Sequence, residues 1–385
     1  MPEPLKHFFS PELVRRLARE IAAVEPTFPV RPFTQTASKG LEELELLDRG
    51  RHIAAALSRH LPADYPAAID VLLRSLGPEH ASDELVGAGM DPFFYLPHVL
   101  FVAERGLGHF DLSMQAQYEL TKRFSAESSI RAYIDQDPER TFAVLRGWAT
   151  DPNPHVRRLV SEGTRLRLPW AMRVRWLDEN PKRVLELLEL LKDDPTTLVR
   201  RSVANSLNDL GKVHPQLLVK TCKAWSRRRT PERRKLIEHA LRSAIKRGEP
   251  GALSVLGYAA KPLVAVEAVC FEPGRVAIGS SVEVGFTLRS RARTRQDLLV
   301  DLRVHFVGTR GKSSPKVFKL RRVELPAKAR VELATTVSLA VHSTRKPRPG
   351  RHDVEVVVNG EGVALGAFEV VAPRSDGRRA THSSR

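Results

Sequence analysis

Three carboxylates stand at related positions in a basic stretch of this chain. Basic pairs recur as Lys122-Arg123, Arg157-Arg158, Arg200-Arg201 and, more loosely, Arg234-Lys235, at spacings of 35 (122 to 157), 43 (157 to 200) and 34 (200 to 234). Four residues past the second member stand Glu127, Glu162, Asn205 and His239, and Asp209 lies one helical turn beyond Asn205. A carboxylate in a groove that binds phosphate repels its ligand, so it is either tolerated or used. Carboxylates recurring in adjacent repeats converge on one spot, which points to use. The plainer alternative is that Arg123–Glu127 and Arg158–Glu162 are solvated i,i+4 ion pairs, each worth about 0.3–0.5 kcal/mol. Trp170 follows closely, in Arg165-Leu166-Arg167-Leu168-Pro169-Trp170. Pro169 ends the helix and puts Trp170 on a rim loop, although a lone tryptophan there ordinarily packs between repeats, as expected for Trp148, Trp176 and Trp225.

The elements that carry these residues announce themselves by a repeated start signal. Asp151-Pro152-Asn153-Pro154-His155-Val156-Arg157-Arg158 returns as Asp194-Pro195-Thr196-Thr197-Leu198-Val199-Arg200-Arg201. Asp-Pro reads as an N-cap followed by proline at the first helical position, where its missing N–H costs nothing. A period near 40 with helical signals predicts stacked HEAT-like repeats, whose inner helices build a concave surface. Val156, Leu159, Val160 and Gly163 form one stripe at about 100° per residue, opposite Arg158 and Glu162. Val199, Val203, Leu207 and Leu210 do the same opposite Arg201, Asn205 and Asp209, so both polar faces are expected to line the groove. Asp151, Asp194, Arg157 and Arg200 read instead as an inter-repeat ladder that serves stability. Helical periodicity covers residues 1–258, including Gly40–Arg59, Ser113–Ile134, Val156–Leu166 and Leu198–Leu210.

The pattern changes after Tyr258. Val-rich alternating runs follow, at Val264–Val269, Ser281–Leu288, Leu298–Val307, Lys316–Leu325, Val331–Leu339 and His352–Val358, with turn signals such as Glu272-Pro273-Gly274, Gly308-Thr309-Arg310-Gly311 and Asn359-Gly360. Seven or eight short strands over residues 259–373 predict an immunoglobulin-like β-sandwich without the antibody disulfide. Residues 374–385 read as a disordered basic tail. The whole is therefore a multidomain chain, an all-α HEAT-like repeat solenoid followed by an all-β sandwich. A formal charge of +17 favours a polyanionic partner, nucleic acid before a membrane surface. No apolar run reaches membrane-spanning length, and Cys222 and Cys270 form no metal-spacing motif. A cytoplasmic, metal-free and cofactor-free monomer with no obligate protein partner is expected.

Two stretches, Ser161-Glu162-Gly163-Thr164-Arg165-Leu166-Arg167-Leu168-Pro169-Trp170 and Val199-Arg200-Arg201-Ser202-Val203-Ala204-Asn205-Ser206-Leu207-Asn208-Asp209, resemble the AlkC branch of the bacterial HEAT-like-repeat DNA glycosylases, relatives of AlkD. The resemblance covers residues 1–258, and residues 261–372 resemble the immunoglobulin-like domain of some members. It implies a monofunctional glycosylase that releases 3-methyladenine and 3-methylcytosine from duplex DNA without swinging the base into a pocket. Asp209, Glu162, Glu127 and Trp170 would then be the catalytic set. Lys122, Arg123, Arg158, Arg201, Asn205, Lys235 and His239 would hold DNA, joined by Arg293, Arg310, Lys312, Arg345 and Lys346 from the sandwich loops.

That assignment suits the chemistry. A base methylated at N3 carries positive charge and leaves as a neutral molecule, so no acid is needed. Negative charge beside the sugar and a positioned water are, and a carboxylate supplies both. A HEAT scaffold without activity, binding nucleic acid or protein, would account for the repeats and the charge but not for converging carboxylates. An RNA-binding repeat protein would show base-reading side chains in every repeat, and no such code is visible.

Overall fold

The computed structural model describes all residues except 1–3, 81–88, 229, 248, 250, 260, 309–312, 342–345 and 373–385. The expected tail at 374–385 therefore lies outside the described residues. The chain forms two compact units, Met1–Leu241 and Arg242–Arg385. Among the described residues no helix is long and apolar enough to cross a membrane.

The first unit is helical throughout. Its helices are α1 (Pro11–Val24), α2 (Val30–Ser38), α3 (Leu46–His60), α4 (Tyr65–Arg74), α5 (Leu96–Arg105), α6 (Phe110–Thr121), α7 (Ile130–Gln136), α8 (Pro138–Trp148), α9 (Pro154–Gly163), α10 (Arg175–Glu179), α11 (Pro181–Leu191), α12 (Thr197–Val213) and α13 (Pro215–Trp225), with α14 (Pro231–Lys246) running past its end. The apolar stripes behave as their spacing requires. Val156, Leu159 and Val160 on α9 and Val199, Val203 and Leu207 on α12 are fully buried, each worth about 1.5–3 kcal/mol of burial.

The repeated start signal works differently from the simple N-cap reading. In both repeats the helix begins three residues after the aspartate, at Pro154 and Thr197, with Asn153 and Thr196 in the cap positions. The aspartates act one step earlier: Asp151 Oδ1 accepts from the Asn153 N–H at 2.7 Å and Asp194 Oδ1 from the Thr196 N–H at 2.8 Å. Each makes an Asx-turn that feeds the helix, a role suited to a residue before proline. The inter-repeat ladder also forms. Arg157 clasps Asp194 through Nε (2.6 Å) and Nη2 (3.1 Å) and donates to the Asp151 carbonyl at 2.8 Å. Arg200 repeats the last contact on the Asp194 carbonyl at 2.5 Å. Asp194→Ala is expected to cost about 2 kcal/mol in urea unfolding, since it strips a buried acceptor from a guanidinium. Any enzymatic rate, corrected for folded fraction, should stay within twofold of wild type.

The second unit holds the end of α14, a short helix α15 (Ala252–Val255), and two sheets. A three-stranded sheet has the order β1 (Val264–Glu272), β3 (Ser281–Ser290), β6 (Arg330–Ser338), and a five-stranded sheet the order β2 (Arg275–Ala277), β8 (Glu361–Val371), β7 (Gly350–Val358), β4 (Gln296–Val307), β5 (Ser313–Leu325). The inner faces meet in one core, with Val282, Val284, Phe286 and Leu288 of β3 against Val300, Leu302 and Val304 of β4 and Val354, Val356 and Phe368. This is the expected immunoglobulin-like architecture. Asn359 and Gly360 take φ of 48° and 85° between β7 and β8, the double positive φ of a type I′ hairpin turn. Cys222 and Cys270 are both free.

Candidate active site

The site grows from the C-terminal ends of α9 and α12 and the loop after α9. Glu162 and Asp209 are not displayed on open polar faces as their register suggests. Glu162 is 6% exposed and Asp209 1%. The reason is packing: α12 lies along α9, so the polar face of α9 becomes a seam. Ser202 of α12 donates to Glu162 Oε2 at 2.5 Å, and Ser161 donates to Ser202 at 2.7 Å.

Arg165, just beyond the end of α9, joins the two acids. Its Nη1 donates to Glu162 Oε1 at 2.5 Å and its Nε to Asp209 Oδ2 at 2.7 Å, while Lys212 Nζ donates to Asp209 Oδ1 at 2.7 Å. Burial opposes the charge on Glu162, but Arg158 and Arg165 and the hydrogen bonds from Ser202 and Arg165 outweigh it and hold the carboxyl below its ordinary range. Burial likewise works against the Arg165 charge, and the two acids more than restore it. Arg165 has no helical register to betray it, because it lies past the helix. Its spacing of three from Glu162 was the only available signal.

Glu127 reaches the same cluster by a different route. The single helix expected over Ser113–Ile134 is broken: α6 ends at Thr121 and α7 begins at Ile130. The turn is fixed by Thr121 Oγ1, which accepts from the Ala126 N–H at 3.3 Å, and by Ser129, which donates to Gln117 Oε1 at 2.8 Å. Arg123 and Glu127 are thus not an i,i+4 pair. Glu127 sits in the turn, where its Oε2 accepts from Ser125 at 2.9 Å and from Arg158 Nη2 at 3.2 Å. Arg158 Nη2 is also 3.8 Å from Glu162 Oε2. The charges therefore run unbroken from Glu127 through Arg158, Glu162, Arg165 and Asp209 to Lys212.

Trp170 does not pack between repeats. It is 66% exposed and takes φ of 61°, a conformation uncommon for a bulky residue. Trp148, Trp176 and Trp225 do pack, against Tyr118, Phe142 and Arg233 respectively. Trp170 stands over a cleft of about 340 Å³ whose walls include Phe93, Phe124, Glu127, Arg158 and Leu168. An apolar cleft with an arginine, a carboxylate and an exposed indole at its edge has the character of a ligand site.

Comparison with known proteins gives the family of the chain. Residues 124–247 match the family model described as DNA alkylation repair enzyme, and residues 265–372 match the C-terminal Ig-like domain of the uncharacterised protein YhaZ. YhaZ of Bacillus subtilis (strain 168) is 32% identical over 361 residues, which are 93% of this chain and 96% of YhaZ. The alkylpurine DNA glycosylase AlkC of Pseudomonas fluorescens, solved bound to DNA containing an abasic site analog, is 36% identical over 96% of this chain and all of that one, with a TM-score of 0.87. The chain belongs to the AlkC family.

Within this AlkC-type chain the predicted DNA-holding residues divide. Arg201 and Lys235 are exposed, and Arg158 is partly so. Asn205 and His239 meet each other at 2.9 Å. Lys122 and Arg123 depart from the expectation. Lys122 pairs with Glu79 and Glu119, and Arg123 donates to the Gly77 carbonyl and to Glu119, each side chain being only 12% exposed. These two residues follow the end of α6, so their side chains fold back on it and tie its end down. On the sandwich, Arg293 and Lys346 are exposed, while Arg310, Lys312 and Arg345 lie outside the described residues. Nearby Arg289, Arg295 and Arg351 are paired with Glu267, Glu324 and Asp353.

Proposed function

We propose that this protein is a monofunctional DNA glycosylase that releases cationic alkylated bases, 3-methyladenine and 3-methylcytosine, from duplex DNA. The observation that carries the reading is the pair of buried acids bridged by Arg165 and linked through Arg158 to a cleft edged by an exposed tryptophan, in a chain whose relative AlkC was solved on abasic-site DNA. The lesion already bears positive charge, so its departure leaves an oxocarbenium sugar and a neutral base. Fixed negative charge stabilises that sugar, and a carboxylate oxygen orients the attacking water. Asp209 is the acid we assign to this role, with Glu162 and Glu127 shaping the field around it. Its Oδ1 is covered by Lys212, whose side chain is 43% exposed. A DNA phosphate competes for that ammonium and uncovers the oxygen as the duplex docks. Neutral bases stay, because this mechanism supplies negative charge and a water but no proton for the leaving base.

The test is release of free base from methylated duplex DNA, with equal rates in the presence and absence of a chelator. No release from either lesion would leave a nucleic-acid-binding scaffold as the better reading. Trp170 offers its π face to the sugar or the cationic base. Trp170→Ala is expected to weaken catalysis by about 1–2 kcal/mol, roughly five- to thirtyfold. Thermal stability should not fall, since an exposed side chain in an unfavourable conformation leaves little behind.

We further propose that exposed sandwich cations hold phosphate. Replacing Arg293 and Lys346 together by glutamine should make the slope of log affinity against log salt shallower by up to about 1.8. An unchanged slope would remove both residues from the DNA contact.

A further inference from the structure

Arg131, in α7, is 1% exposed and lies among the most deeply buried large side chains. Burying a guanidinium is expensive, and the cost is normally met by a carboxylate. Arg131 instead gives all three of its hydrogen bonds to main-chain carbonyls. Its Nη1 donates to Gly163 at 2.9 Å and to Arg165 at 2.8 Å, and its Nε to Met172 at 2.7 Å. Burial brings its pKa down to about 10, still far above neutrality, so the cation persists.

The positions of those carbonyls are the point. Gly163 ends α9 one residue after Glu162, Arg165 is the bridge to Asp209, and Met172 lies two residues past Trp170. One side chain thus clasps both ends of the loop that carries the tryptophan. Gly163 makes the approach possible: a Cβ there would lie 2.5 Å from Ile130 Cγ2, so only glycine lets the end of α9 come this close to α7. The indole itself is too exposed for packing to impose its left-handed backbone, so the constraint comes from the main chain. Arg167 adds a hold of its own through Asp178 Oδ1 at 2.7 Å, but it binds one point of the loop and not both ends.

We propose that Arg131 is a positioning residue, setting through these carbonyls where Trp170 stands relative to Glu162 and Arg165. This rests on the glycosylase reading above. The test compares wild type, Arg131→Lys, Trp170→Ala and the double variant, by amide hydrogen exchange and by single-turnover release of 3-methyladenine. Lysine keeps the charge and can reach the carbonyls of Gly163 and Arg165, but has no second nitrogen placed to reach Met172. Exchange in Arg131→Lys should quicken at least tenfold within residues 164–172 and stay unchanged elsewhere. Base release should slow severalfold but no more than in Trp170→Ala, affinity for undamaged duplex should hold within twofold, and the double variant should be no slower than Trp170→Ala alone. Unchanged exchange in the loop, additive rate losses, or loss of protection across all the repeats would each overturn the proposal, the last by making Arg131 a prop of the whole stack. If wild type releases no base, the functional reading fails on its own and the exchange result still decides whether Arg131 sets the loop.

Discussion

Substitution of Asp209 by asparagine is expected to slow single-turnover release of 3-methyladenine by about 10²–10³-fold, the loss that follows removal of one preorganised electrostatic group. The substitution changes charge with little change of shape. Asparagine still fits the seam and can accept one hydrogen bond from Arg165 or Lys212, so the surrounding geometry is preserved. Arg165 also keeps Glu162, 2.5 Å away, which limits the damage to stability. What disappears is the full negative charge facing a sugar that becomes cationic only as the bond breaks. Ground-state binding should therefore survive, or improve, because a negative charge leaves a basic surface. Near-wild-type release by Asp209→Asn, measured alongside unchanged affinity for methylated duplex, would sink the assignment of this acid.

The architecture was legible because it rests on periodicity and on turn chemistry. The stripes of α9 and α12, the Asp-Pro starts and the alternating valines of β3 and β4 are local patterns with one physical solution each. The errors share a cause too. The helix expected over Ser113–Ile134 is apolar enough at helical spacing throughout, and only side-chain hydrogen bonds from Thr121 and Ser129 reveal the turn. Strand β8 carries no clean alternation because Gly362 and Gly366 interrupt it, and β2 is three residues long. At the site, register brought Glu162 and Asp209 to notice but placed them on open faces, since one helix viewed alone cannot show that its neighbour covers it. Glu127 reached the cluster although its assumed helical register does not exist. Arg165 and Arg131 were beyond reach for opposite reasons. One lies just outside a helix, and the other is an ordinary arginine whose burial depends entirely on tertiary contacts.

The contrast between the two glutamates gives the second large effect. Their shared register suggests similar behaviour, yet their side chains are 7% exposed for Glu162 and 29% for Glu127. Glu162→Gln should destabilise the protein by about 1.5–3 kcal/mol at neutral pH, because charge-assisted bonds to Arg165 and Ser202 are weakened inside a seam. Glu127→Gln should stay within about 0.5 kcal/mol of wild type, as for a partly exposed pair. The pH dependence separates this cause from simple misfit. Burial raises the Glu162 pKa, the arginines lower it further, and the net position is below the ordinary 4.5. Its charge therefore stabilises the fold fully above about pH 4.5 and progressively less as the pH falls through the lowered value, where the native carboxylate finally takes up its proton. The deficit of Glu162→Gln against wild type should accordingly be largest near neutrality and shrink in acid. A deficit that stays constant down to pH 3 would mean that shape, not charge, is what glutamine fails to supply. In activity, Glu162→Gln should slow base release roughly tenfold, about 1.4 kcal/mol of barrier, and Glu127→Gln should change the ratio of 3-methyladenine to 3-methylcytosine release. If both variants keep the wild-type rate and ratio per folded molecule, the two glutamates belong to the inter-repeat scaffold, and Asp209 alone carries the negative charge that the reaction needs.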